Sequence, residues 1–221
     1  MKLASIDTTL YRIPLPVPIQ AASTAVMKGF DMVMVRVTDN EGNTGCGYTV
    51  MHEGFGGSIL ATVQENFTPW TLQQDPRRIE WIWRNLWRTH HYVGRGGIIA
   101  FAIAALDTAL WDLRGNTLGE PLWRLLGGYS PEVRAYAGNI DLNFPVDDLL
   151  AGASKSLDAG FKSIKMRLGK PTLGEDLVRV AAMREHLGSD IELMADANEA
   201  WRTDQATIAL RALGEFNLVW V

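Results

Sequence analysis

The first fifty residues alternate between apolar and polar positions in the way that half-buried β-strands do. The predicted strands are residues 3–12, 32–38 and 44–50. Residues 39–42, Asp-Asn-Glu-Gly, are typical of a hairpin turn between the second and third strands. Pro16 and Pro18 are expected to end the first strand, because proline cannot donate to a strand ladder. The pattern therefore predicts an antiparallel meander of about three strands, with a loop over residues 19–29.

Helical periodicity follows the meander. The predicted helices are residues 58–67, a helix that begins at Asp75, residues 98–114 and residues 121–126. Asp75 is a favoured N-cap residue, and Pro76 suits the first helical position. The apolar positions that then share one face are Ile79, Ile82, Trp83 and Leu86. Residues 98–114 are apolar nearly all round, which predicts a helix buried between layers.

From residue 132 onward, short strands and helices alternate. The predicted strands are residues 133–140, 162–168, 192–195 and 218–221, and the predicted helices are residues 146–159, 173–187 and 203–213. A β/α unit that recurs about every 28 residues indicates a parallel barrel or a doubly wound sheet, and the absence of G-x-G-x-x-G weakens the dinucleotide-binding alternative. The change of pattern predicts two domains, residues 1–130 and 131–221.

Composition and charge exclude several classes of partner. The chain carries 21 Lys and Arg against 25 Asp and Glu, so there is no basic excess to attract nucleic acid or an anionic membrane. It has no uncharged apolar stretch long enough to span a bilayer. One cysteine, Cys46, rules out an internal disulfide framework and suits a reducing compartment. The first residues lack the pattern of a secretory signal, so a cytoplasmic location is expected.

Two strand ends carry the strongest candidate chemistry. Lys165 and Arg167 lie two residues apart on one predicted strand, so both side chains face the same way and could bind an anion such as a carboxylate. Asp196 and Asn198 repeat this spacing on the next strand, where a carboxylate is a typical ligand of Mg²⁺. The structural alternatives are a solvated strand end for the cations and an N-cap or Asx-turn for the acid.

Other chemistry-bearing residues give weaker signals. The glycine-rich segment that begins at His52 could be a substrate lid, and an ordinary surface loop is an equal alternative. His90, His91 and Cys46 have no partner at a useful spacing, so structural roles are expected for them.

Several longer motifs resemble the enolase superfamily, in its mandelate racemase/muconate lactonizing enzyme branch. These motifs are residues 94–97 (GRGG), 102–113 (AIAALDTALWDL), 121–128 (PLWRLLGG), 160–167 (GFKSIKMR) and 194–201 (MADANEAW). The resemblance covers the whole chain. It implies an α+β capping domain followed by a (β/α) TIM-type barrel. It also implies a magnesium-assisted reaction that begins with removal of a proton α to a carboxylate and gives a metal-stabilised enediolate.

The resemblance also assigns residues by position. Asp196 resembles the first of three metal-binding carboxylates, and Asn198 matches the family's Asp-x-Asn pattern at the substrate. Lys165 matches the first lysine of a Lys-x-Lys strand, which holds the substrate carboxylate and belongs to the catalytic group. The loops over residues 19–29 and 50–57, the latter with His52, match the two segments that close over substrate.

Arg167 departs from the family pattern, because a lysine that often acts as general base stands at the equivalent position. Arginine is not deprotonated in proteins, so Arg167 is expected to bind or polarise substrate. A base from another strand would then act alone, which favours dehydration of a sugar acid over racemisation or epimerisation by two bases. The small-molecule partner is therefore expected to be a carboxylate, namely a sugar acid.

The length adds a further expectation. A full barrel takes roughly 250 residues, so residues 132–221 are expected to be its first part, and the remaining metal ligands and the base are expected beyond Val221. The full-length protein is expected to be a homo-oligomer. Two alternatives stay open: a catalytically incomplete chain that acts only as an interaction protein, and a Schiff-base aldolase that uses Lys165.

Overall fold

The computed structural model describes residues 2–22, 25–139 and 141–221, which form two compact units. The first unit comprises Met1–Pro16 and Gly29–Glu132, and the second comprises Val17–Lys28 and Val133–Val221. Residues 17–28 therefore belong to the same compact unit as the later part of the chain. The functional division at residues 130 and 131 stays a prediction.

The predicted antiparallel meander is present. Its strands are β1 (Leu3–Ile19), β2 (Met27–Asp39) and β3 (Thr44–His52), in the order β1-β2-β3. Strands β2 and β3 pair antiparallel from Phe30↔His52 to Thr38↔Thr44. The turn between them forms because Asp39 accepts the backbone N–H groups of Glu41 and Asn43 at 2.8 and 2.9 Å. Alternate β2 side chains, Val33, Val35 and Val37, are fully buried.

The predicted end of the first strand was wrong. Strand β1 continues through Pro16 and Pro18 to Ile19. It lies at the edge of the sheet, where a residue without an N–H can be tolerated because one side of the strand has no partner. The predicted loop over residues 19–29 is correspondingly shorter, since β2 begins at Met27, and its residues 23 and 24 lie outside the described part of the chain.

Helices cover the buried face of the meander. They are α1 (Gly56–Ala61), a π-helical segment (Thr62–Phe67), α2 (Thr68–Thr71), α3 (Ile79–Thr89), a 3₁₀ turn (His91–Val93), α4 (Ile98–Leu118) and α5 (Leu122–Leu125). Helix α4 packs on β3 at very short range, because two glycines of the strand face its backbone. A Cβ added at Gly47 would lie 2.2 Å from the Ala105 carbonyl oxygen, and one at Gly45 would lie 2.2 Å from Leu113 N.

Two expectations for these helices need correction. Helix α3 begins at Ile79 and not at Asp75, because the Asp75 carboxylate instead accepts the N–H of Arg77 in a local turn. The predicted apolar face is confirmed, and Ile79, Ile82 and Leu86 are buried. Helix α4 is not buried all round, since Phe101, Ala104 and Thr108 are exposed. Two of these three side chains are small, so their exposure leaves little apolar area in water.

The second unit consists of parallel β/α units. Its strands are β4 (Ala137–Gly138), β5 (Ser163–Arg167) and β6 (Glu192–Asp196), in the order β4-β5-β6, and its helices are α6 (Val146–Asp158), α7 (Leu173–Leu187), α8 (Thr203–Leu213) and a 3₁₀ turn (Gly214–Phe216). The last residues continue the sheet, because Val219 N–H donates to Leu193 O and Ala195 N–H donates to Trp220 O. Strand β4 is shorter than predicted, and residue 140 at the end of the predicted strand lies outside the described residues.

The core of the second unit lies between this sheet and its helices. Its fully buried members include Ile164, Met166, Leu193, Ala195, Val180 and Met183. The architecture is therefore an α+β part with a meander, followed by parallel β/α units of a barrel type, as the sequence indicates. Among the described residues, no helix combines the length and apolar character needed to cross a membrane.

Candidate active site

The carboxyl ends of β5 and β6 bring three of the predicted site residues together. The strands pair in parallel with Arg167 opposite Asp196. Lys165 Nζ lies 2.7 Å from Asp196 Oδ2, and Arg167 Nη1 contacts the same oxygen. All three side chains are largely buried, with exposed fractions of 13% for Lys165, 14% for Arg167 and 27% for Asp196. The expected common face of Lys165 and Arg167 is confirmed by this shared contact.

Asn198 was predicted on the same strand as Asp196, which was wrong, because β6 ends at Asp196. Asn198 joins the cluster through an unusual backbone conformation in the turn that follows. Its φ is 44°, in the left-handed region that asparagine tolerates better than most residues. This conformation lets Asn198 N–H donate to Asp196 Oδ1 at 2.8 Å, while Asn198 Oδ1 accepts from Arg167 Nη1 at 2.6 Å. The Asx-turn that was the structural alternative for Asp196 is thus present, as the hydrogen bond from Asn198 N–H to Oδ1. This turn also places the Asn198 side-chain amide beside Arg167. Asp196 is not an N-cap, because Arg202 occupies that position of α8.

The electrostatics of the cluster keep Asp196 ionised. Partial burial raises the pKa of this carboxyl, but the hydrogen bonds from Lys165 and from the Asn198 amide, with the charges of Lys165 and Arg167, outweigh it. The net result is a pKa below the ordinary value of aspartate. An ionised carboxylate is the form that binds a cation.

The ring of Trp220 is a neighbour that sequence analysis missed. Lys165 Nζ lies 5.5 Å from the centroid of this ring, a cation–π distance, and Tyr136 packs edge-on against the same ring at 6.1 Å. Trp220 reaches this place because its backbone pairs with β6. The apolar run at residues 218–221 indicated a strand. Only the alternation of side chains along that strand could have predicted that Trp220 faces Lys165.

Buried charges behind Arg167 were also missed. Asp141 Oδ1 accepts the Arg167 N–H at 3.0 Å, and Arg179 on α7 donates to the Asp141 carbonyl at 3.0 Å. Burial raises the pKa of Asp141, although the Arg167 amide and the charges of Arg179 and Arg167 oppose it. Burial likewise lowers the pKa of Arg179. An acid directly after the predicted strand 133–140 was the available signal for Asp141. No spacing in the sequence links Asp141 to Arg179.

His52 lies in the first unit, as the last residue of β3, and its side chain is exposed. The turn that follows is fixed by Asp31, another residue that sequence analysis missed. Asp31 Oδ2 accepts the N–H groups of Gly54 and Gly56, both at 2.9 Å, and Asp31 is 1% exposed. The assignment of His52 to substrate binding stays a prediction.

Asp196 is a suitable ligand for a hard cation. Asp196 is an ionised oxygen donor at a strand end, and Mg²⁺ is commonly held by one or two carboxylates with waters and substrate oxygens. Among the described residues, no three His, Cys, Asp or Glu side chains converge in a way that could hold a metal. Asp196 therefore fits as one ligand of a magnesium ion, with further negative charge needed to balance Lys165 and Arg167.

Comparison with known families matches both parts of the chain. Residues 5–127 match the family described as mandelate racemase/muconate lactonizing enzyme, N-terminal domain. Residues 148–221 match the family described as enolase C-terminal domain-like. The resemblance inferred from the motifs is confirmed.

Curated relatives include enzymes that act on acid sugars. The 3,6-anhydro-alpha-L-galactonate cycloisomerase of Streptomyces coelicolor is 45% identical over 98% of this chain and 60% of its own length. The L-talarate/galactarate dehydratase of Salmonella typhimurium is 30% identical over 98% of this chain and 56% of its own length. The N-succinyl-L-Arg/Lys racemase of Bacillus cereus is 29% identical over 100% of this chain and 59% of its own length.

Solved structures show the same fold with magnesium. A racemase from Streptomyces coelicolor with bound magnesium superimposes with a TM-score of 0.95 at 45% identity, covering 99% of this chain and 61% of the other. An L-talarate dehydratase from Polaromonas complexed with Mg and L-glucarate gives a TM-score of 0.89 at 32% identity, covering 99% and 60%. The chain thus spans about three fifths of the length of the relatives it matches.

Proposed function

We propose, because the chain belongs to the mandelate racemase/muconate lactonizing enzyme family of the enolase superfamily, that it takes part in β-elimination from an acid sugar. A proton is removed from the carbon next to the substrate carboxylate, and an oxygen substituent then leaves the following carbon. Dehydration is the form of this reaction that we propose first. The observation that carries the proposal is the contact of Lys165 and Arg167 with Asp196 at the ends of adjacent strands.

Asp196 is proposed as a ligand of magnesium, the ion bound in solved relatives. When bound, magnesium would supply positive charge that stabilises negative charge developing on the substrate carboxylate. The role of the chain is to present an ionised oxygen at a fixed place. The contacts of Asn198 N–H with Asp196 Oδ1, and of Lys165 and Arg167 with Oδ2, do so.

Lys165 and Arg167 are proposed to hold the substrate carboxylate. Both point toward one place, and a second anion there would share their positive charge with Asp196. Arg167 keeps its proton, so it binds or polarises substrate and does not act as base. Asn198 and His52 are proposed to contact the substrate, with the segment after His52 closing over it.

A cycloisomerase reaction is the second candidate, favoured by the 45% identity to a cycloisomerase. It shares the first step with dehydration. If the leaving oxygen belongs to a ring ether, its departure opens the ring and the product is an isomer of the substrate; if it is a hydroxyl group, water is lost. Racemisation or epimerisation is less favoured, because an arginine at position 167 cannot serve as one of two bases.

The experiment is an assay of the full-length protein in D₂O with Mg²⁺, followed by proton NMR. The substrates are galactarate, L-glucarate and 3,6-anhydro-α-L-galactonate. Dehydration predicts loss of the α-proton signal and a deoxy-keto product, and ring opening predicts an isomer of unchanged composition. An inverted centre as the main product would contradict elimination. A protein that binds none of these acids and shows no magnesium-dependent change would favour the interaction-protein alternative.

A further inference from the structure

The hydrogen-bond ladder between β4 and β5 is interrupted at Arg167. Gly138 pairs with Lys165, and Asn139 N–H donates to the Lys165 carbonyl at 3.4 Å. Because parallel bonds are evenly spaced, the next bond would join Arg167 N–H to the Asn139 carbonyl. Instead, Arg167 N–H donates to Asp141 Oδ1 at 3.0 Å, and Arg167 Nε donates to the Asn139 carbonyl at 3.2 Å. The Asp141 carboxylate thus replaces a backbone acceptor and frees that carbonyl for the arginine side chain.

Asp141 is itself held by a buried arginine. Asp141 is 1% exposed and Arg179 is 3% exposed. Arg179 Nη2 donates to the Asp141 carbonyl at 3.0 Å and lies 3.7 Å from Asp141 Oδ1, while Nη1 donates to the Phe144 carbonyl at 2.8 Å. Asp141 and Phe144 are therefore fixed to α7 by one guanidinium. The Asp141 carboxylate cannot turn away without leaving a buried charge uncompensated.

These contacts determine where the Arg167 guanidinium points. Nε is fixed at the Asn139 carbonyl, and Nη1 is fixed at Asn198 Oδ1 and Asp196. A guanidinium is planar and its N–H bonds lie in that plane, so acceptors at two of its nitrogens restrict its orientation. A side chain that is already ordered loses less conformational entropy when it binds an anion.

We infer that Asp141, secured by Arg179, is a positioning residue that prearranges the Arg167 guanidinium for an anionic ligand. The identity of that ligand, the carboxylate of an acid sugar, rests on the proposed function. The geometric part, the control of Arg167 by Asp141, does not. Asp141 itself touches no ligand in this proposal and acts only through Arg167.

The test follows hydrogen exchange at Arg167 in the full-length protein by ¹⁵N NMR, with the Arg167 signals assigned from their loss in Arg167→Lys. Asp141→Ala and Asp141→Leu remove the acceptor, and the leucine keeps the volume of the side chain. Either variant is expected to accelerate exchange of the Arg167 amide and Nε–H about fivefold or more, as the loss of one hydrogen bond implies. Asp141→Asn retains a carbonyl oxygen and is expected to stay close to the wild type.

Asp176→Ala is the matched control. Asp176 is equally buried and also accepts backbone N–H groups after β5, but those of Gly169 and Lys170. Its removal should change exchange at Arg167 less than Asp141→Ala does, because Asp176 can reach Arg167 only through the charge of Arg179. An equal acceleration in the control, or none in Asp141→Ala and Asp141→Leu, would overturn the inference.

Two further measurements keep the outcome clear. If neither Asp141→Ala nor Asp141→Leu folds, exchange at the wild-type Arg167 amide decides, because protection supports a bond to Asp141 and free exchange overturns it. Where turnover is measurable, Asp141→Ala should raise KM for the acid sugar more than it lowers kcat. A wild-type protein that turns over no acid sugar, but whose Arg167 exchange responds to Asp141, would refute the proposed function and leave this inference standing.

Discussion

Lys165 Nζ lies 2.7 Å from Asp196 Oδ2, although the two residues are on different strands and 31 positions apart in the sequence. The parallel register places them at the same edge of the sheet. A carboxylate is thus held against a cation at the place where strands of a β/α barrel carry their functional groups. Substitutions at this pair should therefore show how charge affects cation binding.

Asp196→Asn tests the charge of this cluster directly. The substitution keeps the size of the side chain but removes the negative charge, so magnesium affinity in the full-length protein should fall by about 100-fold or more. Titration calorimetry with Mg²⁺ measures the change. Asp204→Asn is the control, because Asp204 is an exposed acid paired with Arg202 at the start of α8. Equal magnesium affinity in Asp196→Asn and the wild type would refute the assignment.

Asp107 should make stability depend on pH. Burial, with the charge of Glu80 as a second cause, raises the pKa of this α4 carboxyl to about 6. The unfolded carboxyl has a pKa near 4, so the folded protein binds the proton more tightly. Stability from this group is therefore full below about pH 4 and is lost as the pH rises through about 6.

Asp107→Asn should remove this dependence. The variant should gain up to about 2–3 kcal/mol over the wild type at pH 8 and nothing at pH 4. Urea unfolding at both pH values provides the measurement. Glu80→Gln should move the wild-type transition toward lower pH by a smaller amount, because Glu80 is the lesser cause. A difference between Asp107→Asn and the wild type that is the same at both pH values would contradict this explanation.

Gly47→Ala tests the contact between β3 and α4. The added Cβ would lie 2.2 Å from the Ala105 carbonyl and 2.5 Å from Ala109 N, and backbone atoms cannot move aside cheaply. The variant should lose about 3 kcal/mol or more of unfolding free energy. Gly57→Ala is the control, because a Cβ there meets nothing within 4 Å and alanine suits a helix. Equal stability of the two variants would show that α4 is not in close contact with β3.

Periodicity predicted most elements of both units, since side-chain spacing depends only on local geometry. Helices over 173–187 and 203–213 have the predicted bounds. The errors arose where tertiary position overrides local preference. Pro16 and Pro18 are tolerated because β1 is an edge strand. The Asp75 carboxylate accepts the Arg77 N–H in a local turn and does not cap α3. Neither fact can be derived from the neighbouring residues alone.

In the candidate site, too, the residues related by local spacing could be predicted and those related by tertiary position could not. The period of two placed Lys165 with Arg167, because alternation along a strand is local. Asn198 instead comes beside Asp196 through a left-handed turn after β6, which the period of two did not predict. Asp141 could not be connected with them, since its role depends on a strand of two residues and on an arginine 38 positions away. Long-range pairs of buried charges leave no periodic signal in a sequence.

Asp31 should control the order of the segment that follows β3. Its buried Oδ2 accepts the N–H groups of Gly54 and Gly56, so Asp31→Ala removes two hydrogen bonds to a charged acceptor. The local stability of residues 52–57 should fall by about 2–3 kcal/mol. Hydrogen exchange detected by mass spectrometry on a peptide that covers this segment measures the loss.

Two variants make this last prediction specific. Asp31→Asn keeps a carbonyl oxygen that can accept the same N–H groups, so its exchange should lie between those of Asp31→Ala and the wild type. Asp7→Ala removes an exposed carboxylate of β1 that accepts a hydrogen bond from the Ser5 hydroxyl. It should leave exchange in residues 52–57 unchanged. If exchange in residues 52–57 is as slow in Asp31→Ala as in the wild type, the segment is ordered by other contacts. If exchange is faster in Asp31→Ala, and residues 52–57 close over substrate as proposed, the variant should also show a raised KM. The reason is that the segment must then be ordered at the moment of binding.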